Sequence, residues 1–528
     1  MKSIISSAGV ISACILLSRI LGFVRDMLCT GFFGVAWDAF IFAFTIPNLF
    51  RRLFGEGALS AAFIPTFSQY IHNKEASETM RFISIVITIL FGFLALISAA
   101  IIVATLVLPL IIPSFRQSEF MMMSFKLLRI MIPYMPLICL VALFQAILNS
   151  LKHFAMPALA SVVLNIFWIG GFVVASRMDT SDENKVIIMA WAILAGGIME
   201  VIIQLPALQA YKIKYKPAVD LSNPGFREVL RLMGPTIFGL AVFQINLLVD
   251  YIIAKGFVPE PGAISALYFG NRLMQFPFAL IGVSLATVIF PLLAEYVAKK
   301  DIKGMAKQFN HSLALVLFVG IPASIGLVVL AQPLIHWAFY VLPNGLFKIK
   351  SFSMEHIDRT AAVLLFYSLG IWAYSSVQIV NRAFYSLKDM RTPVKVGIYT
   401  VLANLVLNLI LVQFLKEGGI ALATTISAVI NLVMLLNILG KRINASVPEI
   451  TRSSFFWHAV KSSVLPVIFS LIMSAVCYLV MNKTLPSDEL VRETGRISMM
   501  VGSGVVCYSV LALVFQRKLL LEILRKKT

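Results

Sequence analysis

Carboxylates are scarce in this chain: 25 Asp and Glu stand against 44 Lys and Arg in 528 residues. Charge of either sign is scarce too, at 13% of residues, where soluble domains carry about 25%. That shortage, with 59% hydrophobic residues and a mean hydropathy of +0.91, excludes an ordinary soluble globular protein. Histidine (6) and cysteine (5) are rare as well. Cys14, Cys29, Cys139, Cys477 and Cys507 lie in or at the edges of apolar stretches without paired spacing, so they read as packing residues rather than metal ligands or disulfides. A Gly-rich nucleotide loop, an intramembrane carboxylate pair and a metal-spaced His cluster are all missing, which argues against a membrane enzyme of polyprenyl phosphates and against ATP as the energy source. The period-two alternation of a membrane β-barrel is missing too.

Long apolar runs fill the chain instead, and those at 82–112, 158–176 and 394–415 are of the order of the ~20 residues that cross ~30 Å of hydrocarbon. The reading is an all-α polytopic membrane protein with 14 transmembrane helices. They are placed near 4–30, 36–70, 82–112, 124–150, 155–176, 186–210, 227–255, 262–297, 307–332, 358–387, 394–415, 418–439, 455–481 and 495–516. Arg19 interrupts the first run and no small-residue cleavage site follows, so it reads as a retained helix and not a signal peptide. An even count puts both ends on one side. Loops of that side carry Lys212, Lys214, Lys216, Lys299, Lys300, Lys303, Lys388, Arg391, Lys441 and Arg442, so the positive-inside rule expects both termini in the cytoplasm. The formal charge of +19 is then a topology signal and no footprint of nucleic acid.

Two halves echo each other. Phe63-Ile64-Pro65 with Tyr70 matches Ile289-Phe290-Pro291 with Tyr296 at an offset of 226, and Ser150-Leu151-Lys152…Pro157 matches Ser386-Leu387-Lys388…Pro393 at 236. Such an offset holds six helices, so the halves share one orientation, as in transporters whose site lies where two repeats meet. The expected domains are 1–220 and 221–445, two pseudo-symmetric six-helix bundles, followed by 446–528, two additional helices with a basic tail.

Guanidinium groups within these spans carry the chemistry. An arginine at mid-bilayer costs roughly 2.5–3.5 kcal/mol on insertion scales, a cost borne where it lines a wet cavity and meets an anion. Its planar donor fork suits phosphate. Arg51 and Arg52 lie near mid-depth of the long second segment, which Pro47 and Pro65 should bend or break. Glu56 is one turn beyond Arg52 and can pair with it, leaving Arg51 the freer cation; both arginines snorkelling to the surface is the bland alternative. Arg272 has no acid within a turn, only Asn271 and Gln275, with Asp250 a candidate structural partner. Arg25 and Asp26 sit toward the outer end of the first helix, with Asp38 a candidate partner for Arg25. Arg19 serves either the cavity or neighbouring carbonyls.

Ser18-Arg19-Ile20-Leu21-Gly22-Phe23-Val24-Arg25-Asp26 resembles the SRxLGxxRD opening of the MviN/MurJ lipid II flippases. Asp38-Ala39-Phe40, Pro47-Asn48-Leu49-Phe50-Arg51-Arg52, Gly55-Glu56-Gly57-Ala58 and Ala62-Phe63-Ile64-Pro65 continue the resemblance, which resumes at Arg272-Leu273-Met274, Phe276-Pro277, Gly282-Val283 and Phe384-Tyr385-Ser386…Thr392-Pro393-Val394. That family belongs to the multidrug/oligosaccharidyl-lipid/polysaccharide exporter superfamily. The resemblance implies export of lipid II across the bacterial inner membrane, with Arg25, Arg51 and Arg272 gripping its pyrophosphate and the last two helices forming a groove for the polyprenyl tail. It also implies membrane lipids and cell-wall synthesis enzymes as partners. Many relatives carry acids on both sides of the helix-eight arginine, where this chain has Asn271 and Gln275, so its cavity should be more positive. Some relatives hold Na⁺, a role Asp250, Asn404, Asn408 and Thr424 would fill here; asparagines that merely bridge helices are the alternative. No cofactor is expected, and the membrane potential is the expected energy source. Export of another lipid-linked oligosaccharide and cation-coupled drug antiport are the competing functions; an arginine-rich cavity disfavours cationic drugs.

Overall fold

The computed structural model describes residues 2–349, 352–451 and 453–517, with the backbone alone given at 2–13, 15, 55–58, 60, 61, 235, 236, 238–240, 242 and 243. Among these residues there is no strand. In lipid every backbone N–H and C=O must be satisfied within its own segment, which selects helices. Among the described residues eight helices are long and apolar enough to cross a membrane, or up to ten if each bent pair is one span. The fourteen predicted segments fall largely on helix, but three of them, 4–30, 36–70 and 227–255, lie outside that set.

The chain divides into two compact units, Met1–Tyr251 and Ile252–Thr528. The first holds α1 (Lys2–Leu28), α2 (Val35–Phe50), α3 (Ser60–Asn73), α4 (Ala76–Ile111), α5 (Glu119–Met131), α6 (Tyr134–Ser150), α7 (Ala155–Arg177), α8 (Asp182–Ile202) and most of α9 (Pro224–Phe257). Pro47 and Pro65 sit inside regular helix; the interruption lies between them, where Arg51–Leu59 winds in wide π-helical turns. Gly55 and Gly57 fall in that stretch, and π-helical turns often mark functional sites. α5 and α6 form one span bent by 43°. Its core joins Phe63 and Phe67 of α3, Phe82 of α4 and Ile147 of α6.

The second unit holds α10 (Ala263–Phe278), α11 (Ser284–Ala298), α12 (Ile302–His336), α13 (Met354–Ser368), α14 (Ile371–Ser386), α15 (Arg391–Ser446), α16 (Ser454–Lys483) and α17 (Leu490–Phe515). Between α10 and α11, Ala279–Val283 is again π-helical. Shifted by 226 it falls inside Arg51–Leu59, so the sequence echo is matched by an echo of backbone geometry. Predicted segments 394–415 and 418–439 are the two arms of α15, reversed at Lys416 (φ 50°, ψ −136°). A Cβ at Gly419 would stand 2.3 Å from the Leu411 carbonyl oxygen, so the tight reversal requires glycine there. Beyond the predicted segment end at 332, Trp337–Val341 and Leu342–Phe347 prolong the helical path of α12 and bury Phe339 beside Phe269 and Phe352. The last two helices pack on α12 through Phe318, Phe469, Met473, Met500 and Tyr508, whose hydroxyl donates to the Phe318 carbonyl at 2.6 Å.

Helix ends follow an unusual rule. Among the described residues, the six non-glycine residues with φ between 50° and 60° are all lysines: Lys152, Lys212, Lys300, Lys348, Lys388 and Lys416. At Lys152 the N–H bonds the Asn149 carbonyl and the His153 N–H reaches back to Leu148; Lys388 and Asp389 repeat this with Tyr385 and Phe384. This is the C-cap usually given to glycine. Lysine bears the left-handed strain and places a cation at the negative end of the helix.

Candidate functional site

Arg25, in the last turn of α1, is clamped from three directions. Its Nε and Nη2 donate to one Asp26 oxygen at 3.1 and 2.7 Å, its Nη1 donates to Asn165 Oδ1 at 3.1 Å, and its guanidinium carbon lies 4.3 Å from the centre of the Trp168 ring. Asp26 is buried. Asn165 and Trp168 stand three apart on one face of α7, and Asn165 also donates to the Ser18 carbonyl at 3.3 Å, tying α7 to α1. The aromatic wall continues through Phe40 and Phe44 of α2, both edge-on to Trp168. The sequence singled out Arg25 and Asp26 but not Asn165 or Trp168. Asp38 is buried in the first turn of α2, and Arg19 is exposed on α1.

Arg51 opens the π-helical stretch, and its Nε donates to Asn48 Oδ1 at 2.8 Å, one turn back. Arg52 reaches Gln244 of α9 with Nη1 at 3.3 Å. The expected partner Glu56 lies outside the residues whose side chains are described. A buried carboxyl not singled out by sequence stands on α8. Glu200 is 2% exposed and accepts from the Tyr134 hydroxyl at 3.4 Å. The signal for it was present: between Val186 and Ala210 it is the only charged residue.

In the second unit Arg272 is half-buried on α10, flanked by Asn271 and Gln275 one turn apart, with the Gln275 amide donating to the Asn271 carbonyl oxygen. Neutral amides thus bond each other beside the arginine. Across the α15 hairpin, Asn404 Nδ2 donates to Thr424 Oγ1 at 3.4 Å and Asn408 Nδ2 to Asn404 Oδ1 at 3.0 Å, while Asn431 reaches Thr400 at 3.3 Å. Asn404, Asn408 and Thr424 are thus joined by hydrogen bonds of their own side chains. Asp250, in the first unit, is buried and accepts from Asn246 at 3.4 Å. Among the described residues no group of three His, Cys, Asp or Glu could hold a metal ion.

The family model for the lipid II flippase MurJ matches residues 31–489. A probable lipid II flippase MurJ of Buchnera aphidicola subsp. Acyrthosiphon pisum (strain APS) is 34% identical over 453 residues, covering 85% of each chain. The solved structure of a lipid II flippase MurJ in an inward closed conformation superposes with a TM-score of 0.75 at 26% identity, over 96% of this chain and 99% of that one. An inward-facing multidrug resistance MATE family transporter of the MOP superfamily shares the fold at a TM-score of 0.62 and 11% identity, over 87% of this chain and 98% of that one.

Proposed function

Because this chain belongs to the MurJ lipid II flippase family, we propose that it carries the undecaprenyl-pyrophosphate-linked peptidoglycan precursor from the inner to the outer leaflet of the bacterial cytoplasmic membrane by alternating access. The family match along most of the chain carries this reading. The protein is a transporter: its work is to bind, reorient and release, and no bond of the substrate is broken. Arg25, Arg51 and Arg272 are the pyrophosphate ligands, since each is a guanidinium in an otherwise apolar helical segment. Arg19, Asp26, Asp38, Arg52, Glu56, Asn271 and Gln275 support them. The bundles are 1–220 and 221–445, and helices within 446–528 guide the polyprenyl tail. Both termini are cytoplasmic, and wall-synthesis enzymes receive the product.

The energy comes from the membrane potential. Two negative charges driven outward by an inside-negative potential gain roughly 4–5 kcal/mol at ~2.3 kcal/mol per charge per 100 mV. With amides at Asn271 and Gln275 the transported anion has fewer fixed negative charges to pass, so Asn271→Asp with Gln275→Glu should weaken the dependence on potential. Depletion of the protein, followed by measurement of lipid II in each leaflet, tests the function: accumulation in the inner leaflet is expected, and an unchanged distribution refutes it. Collapse of the potential at constant ΔpH should stop flipping. Flipping that persists without potential and stops without Na⁺ would favour a coupling site at Asp250, Asn404, Asn408 and Thr424.

A further inference from the structure

Arg382 has no role in the account so far, yet it is a guanidinium on a helix of a bent membrane span, and such groups are seldom idle. It stands on α14 one turn before the helix ends at Ser386, about 6 Å away at 1.5 Å per residue. Lys388 and Arg391 follow, on the side that the positive-inside rule assigns to the cytoplasm. The guanidinium carbon lies 5.6 Å from the centre of the Phe290 ring of α11 and 5.9 Å from that of Tyr385, one turn further along α14. An arginine that merely reaches for water at a helix end needs no such seat. Here rings on two helices flank the cation.

The seat supplies no counter-charge. Among the described residues Arg382 makes no hydrogen bond or ion pair, and its Nε is buried without an acceptor. Acids on the neighbouring segments are engaged elsewhere. Glu295 of α11 pairs with Lys299 at 2.6 Å, Asp301 caps α12 at the Gly304 N–H, and Asp389 accepts from Arg391 and Thr392 with Arg442 alongside. The first unit has nothing of the kind. At the offsets of the two sequence echoes, Phe290 answers to Ile64 and Arg382 to Ala146, and both of those belong to or pack against the apolar core. Cation and ring enter together and in one unit only, as a binding element would and a packing repeat would not.

A guanidinium one turn inside a helix end lies at the depth of lipid headgroups, and its planar donors suit two oxygens of a phosphate. We propose that Arg382, flanked by Phe290 and Tyr385, is a docking contact for the pyrophosphate of the lipid-linked substrate as it enters from the inner leaflet. Phe290 lies about 27 Å beyond Arg272 along the candidate span Ala263–Ala298 at 1.5 Å per residue, so this contact precedes Arg272 on the way outward. The proposal rests on the flippase reading and on the cytoplasmic placement of this end. Phe290 and Tyr385 orient the guanidinium and are positioning residues.

Binding of undecaprenyl pyrophosphate and of uncharged undecaprenol to the purified full chain in phosphatidylcholine nanodiscs tests it. The native chain should prefer the pyrophosphate at least about tenfold; no preference would sink the flippase reading on which the proposal stands. Arg382→Ala should weaken pyrophosphate binding about tenfold and leave undecaprenol unmoved, while Arg382→Lys falls between, keeping the charge without the fork. Phe290→Leu should cost less than Arg382→Ala, and its loss should vanish in an Arg382→Ala background. A native preference that Arg382→Ala leaves intact overturns the Arg382 contact alone, and an equal loss for both lipids shows a structural role and overturns it as well. Phosphatidylglycerol added to the discs separates the two sources of phosphate. Persistence of the Arg382→Ala defect supports the substrate, whereas its disappearance assigns the contact to bulk phospholipid and overturns the proposal. Should Arg382→Ala fail to fold, Arg382→Lys decides by the same pair of lipids: weakened pyrophosphate with unmoved undecaprenol supports the contact, and both unmoved overturns it.

Discussion

Arg25 and Arg51 both lie in the first compact unit, but their surroundings differ in kind. Arg25 brings its counter-charge with it: Asp26 is the next residue, Asn165 takes the remaining fork and Trp168 covers the face. Three directions of contact fix both charge and plane. Arg51 donates from Nε to Asn48, a neutral amide one turn back on its own helix. One arginine is held in plane by a carboxylate, an amide and a ring; the other donates to an amide of its own helix. The contrast teaches that the residue type gives the ligand class, while the neighbours give the division of labour.

The largest expected effect removes either charge. Arg25→Ala and Arg51→Ala should each abolish flipping of lipid II in reconstituted vesicles at normal folded protein, since truncating one partner of a buried charged contact costs about 2–5 kcal/mol. Lysine then separates them. At Arg25 a point charge cannot reproduce donation from Nε, Nη1 and Nη2 with ring stacking, so Arg25→Lys should be nearly as severe as alanine. At Arg51, whose Nε donates to the neutral Asn48 amide, Arg51→Lys should retain measurable flipping. Equal severity at both positions would break the comparison.

A smaller effect tests the plane of Arg25. Trp168→Leu removes the ring beneath the guanidinium and its edge contacts with Phe40 and Phe44. A cation–π contact of this kind is worth about 0.5–2 kcal/mol, so lipid II binding should fall by about tenfold. The loss should vanish in an Arg25→Ala background and persist in full in an Arg51→Ala background. Coupling of equal size to both arginines would mean that Trp168 supports the bundle generally rather than Arg25.

Much of this was legible in the sequence, because a membrane helix must be apolar and self-bonded, and a charge inside one stands out. That logic located Arg25, Arg51 and Arg272 and the Asn404–Asn408 face. It passed over Glu200 because a lone acid has no spacing signature, whereas paired acids do; the cost argument used for arginines flags it equally well. Asn165 and Trp168 were unreadable for another reason: their meaning lies in a contact across some 140 residues, and a Trp in an apolar run is ordinary there. Helix ends were hidden by chemistry, since the left-handed C-caps at Lys152 and Lys388 use lysine where glycine would have announced them. The reversal at Lys416 was better marked, by the Gly418-Gly419 pair that follows.

The smallest expected effect comes from an acid–arginine pair outside the spans, and it limits how far pairing alone implies function. Asp389 precedes α15 and accepts from the N–H groups of Arg391 and Thr392 at 3.1 and 3.0 Å and from the Thr392 hydroxyl at 2.7 Å, with Arg442 alongside. Burial pushes its carboxyl up, but the Thr392 hydroxyl and N–H, Arg442 and the Arg391 N–H together hold it below the ordinary aspartate value. A folded value below the unfolded one means that ionised Asp389 stabilises the fold above the unfolded pKa, and that this contribution drains away as pH falls through the folded pKa. Asp389→Ala should therefore cost about 1 kcal/mol at neutral pH, as loss of a helix cap does, and the gap in melting temperature from the native chain should close only below about pH 4. Flipping per folded molecule should be unaltered. A pH-independent gap would deny the carboxylate its role, and a transport defect at neutral pH in fully folded protein would show that Arg442, too, is more than a structural partner, erasing the distinction drawn from Arg25 and Arg51.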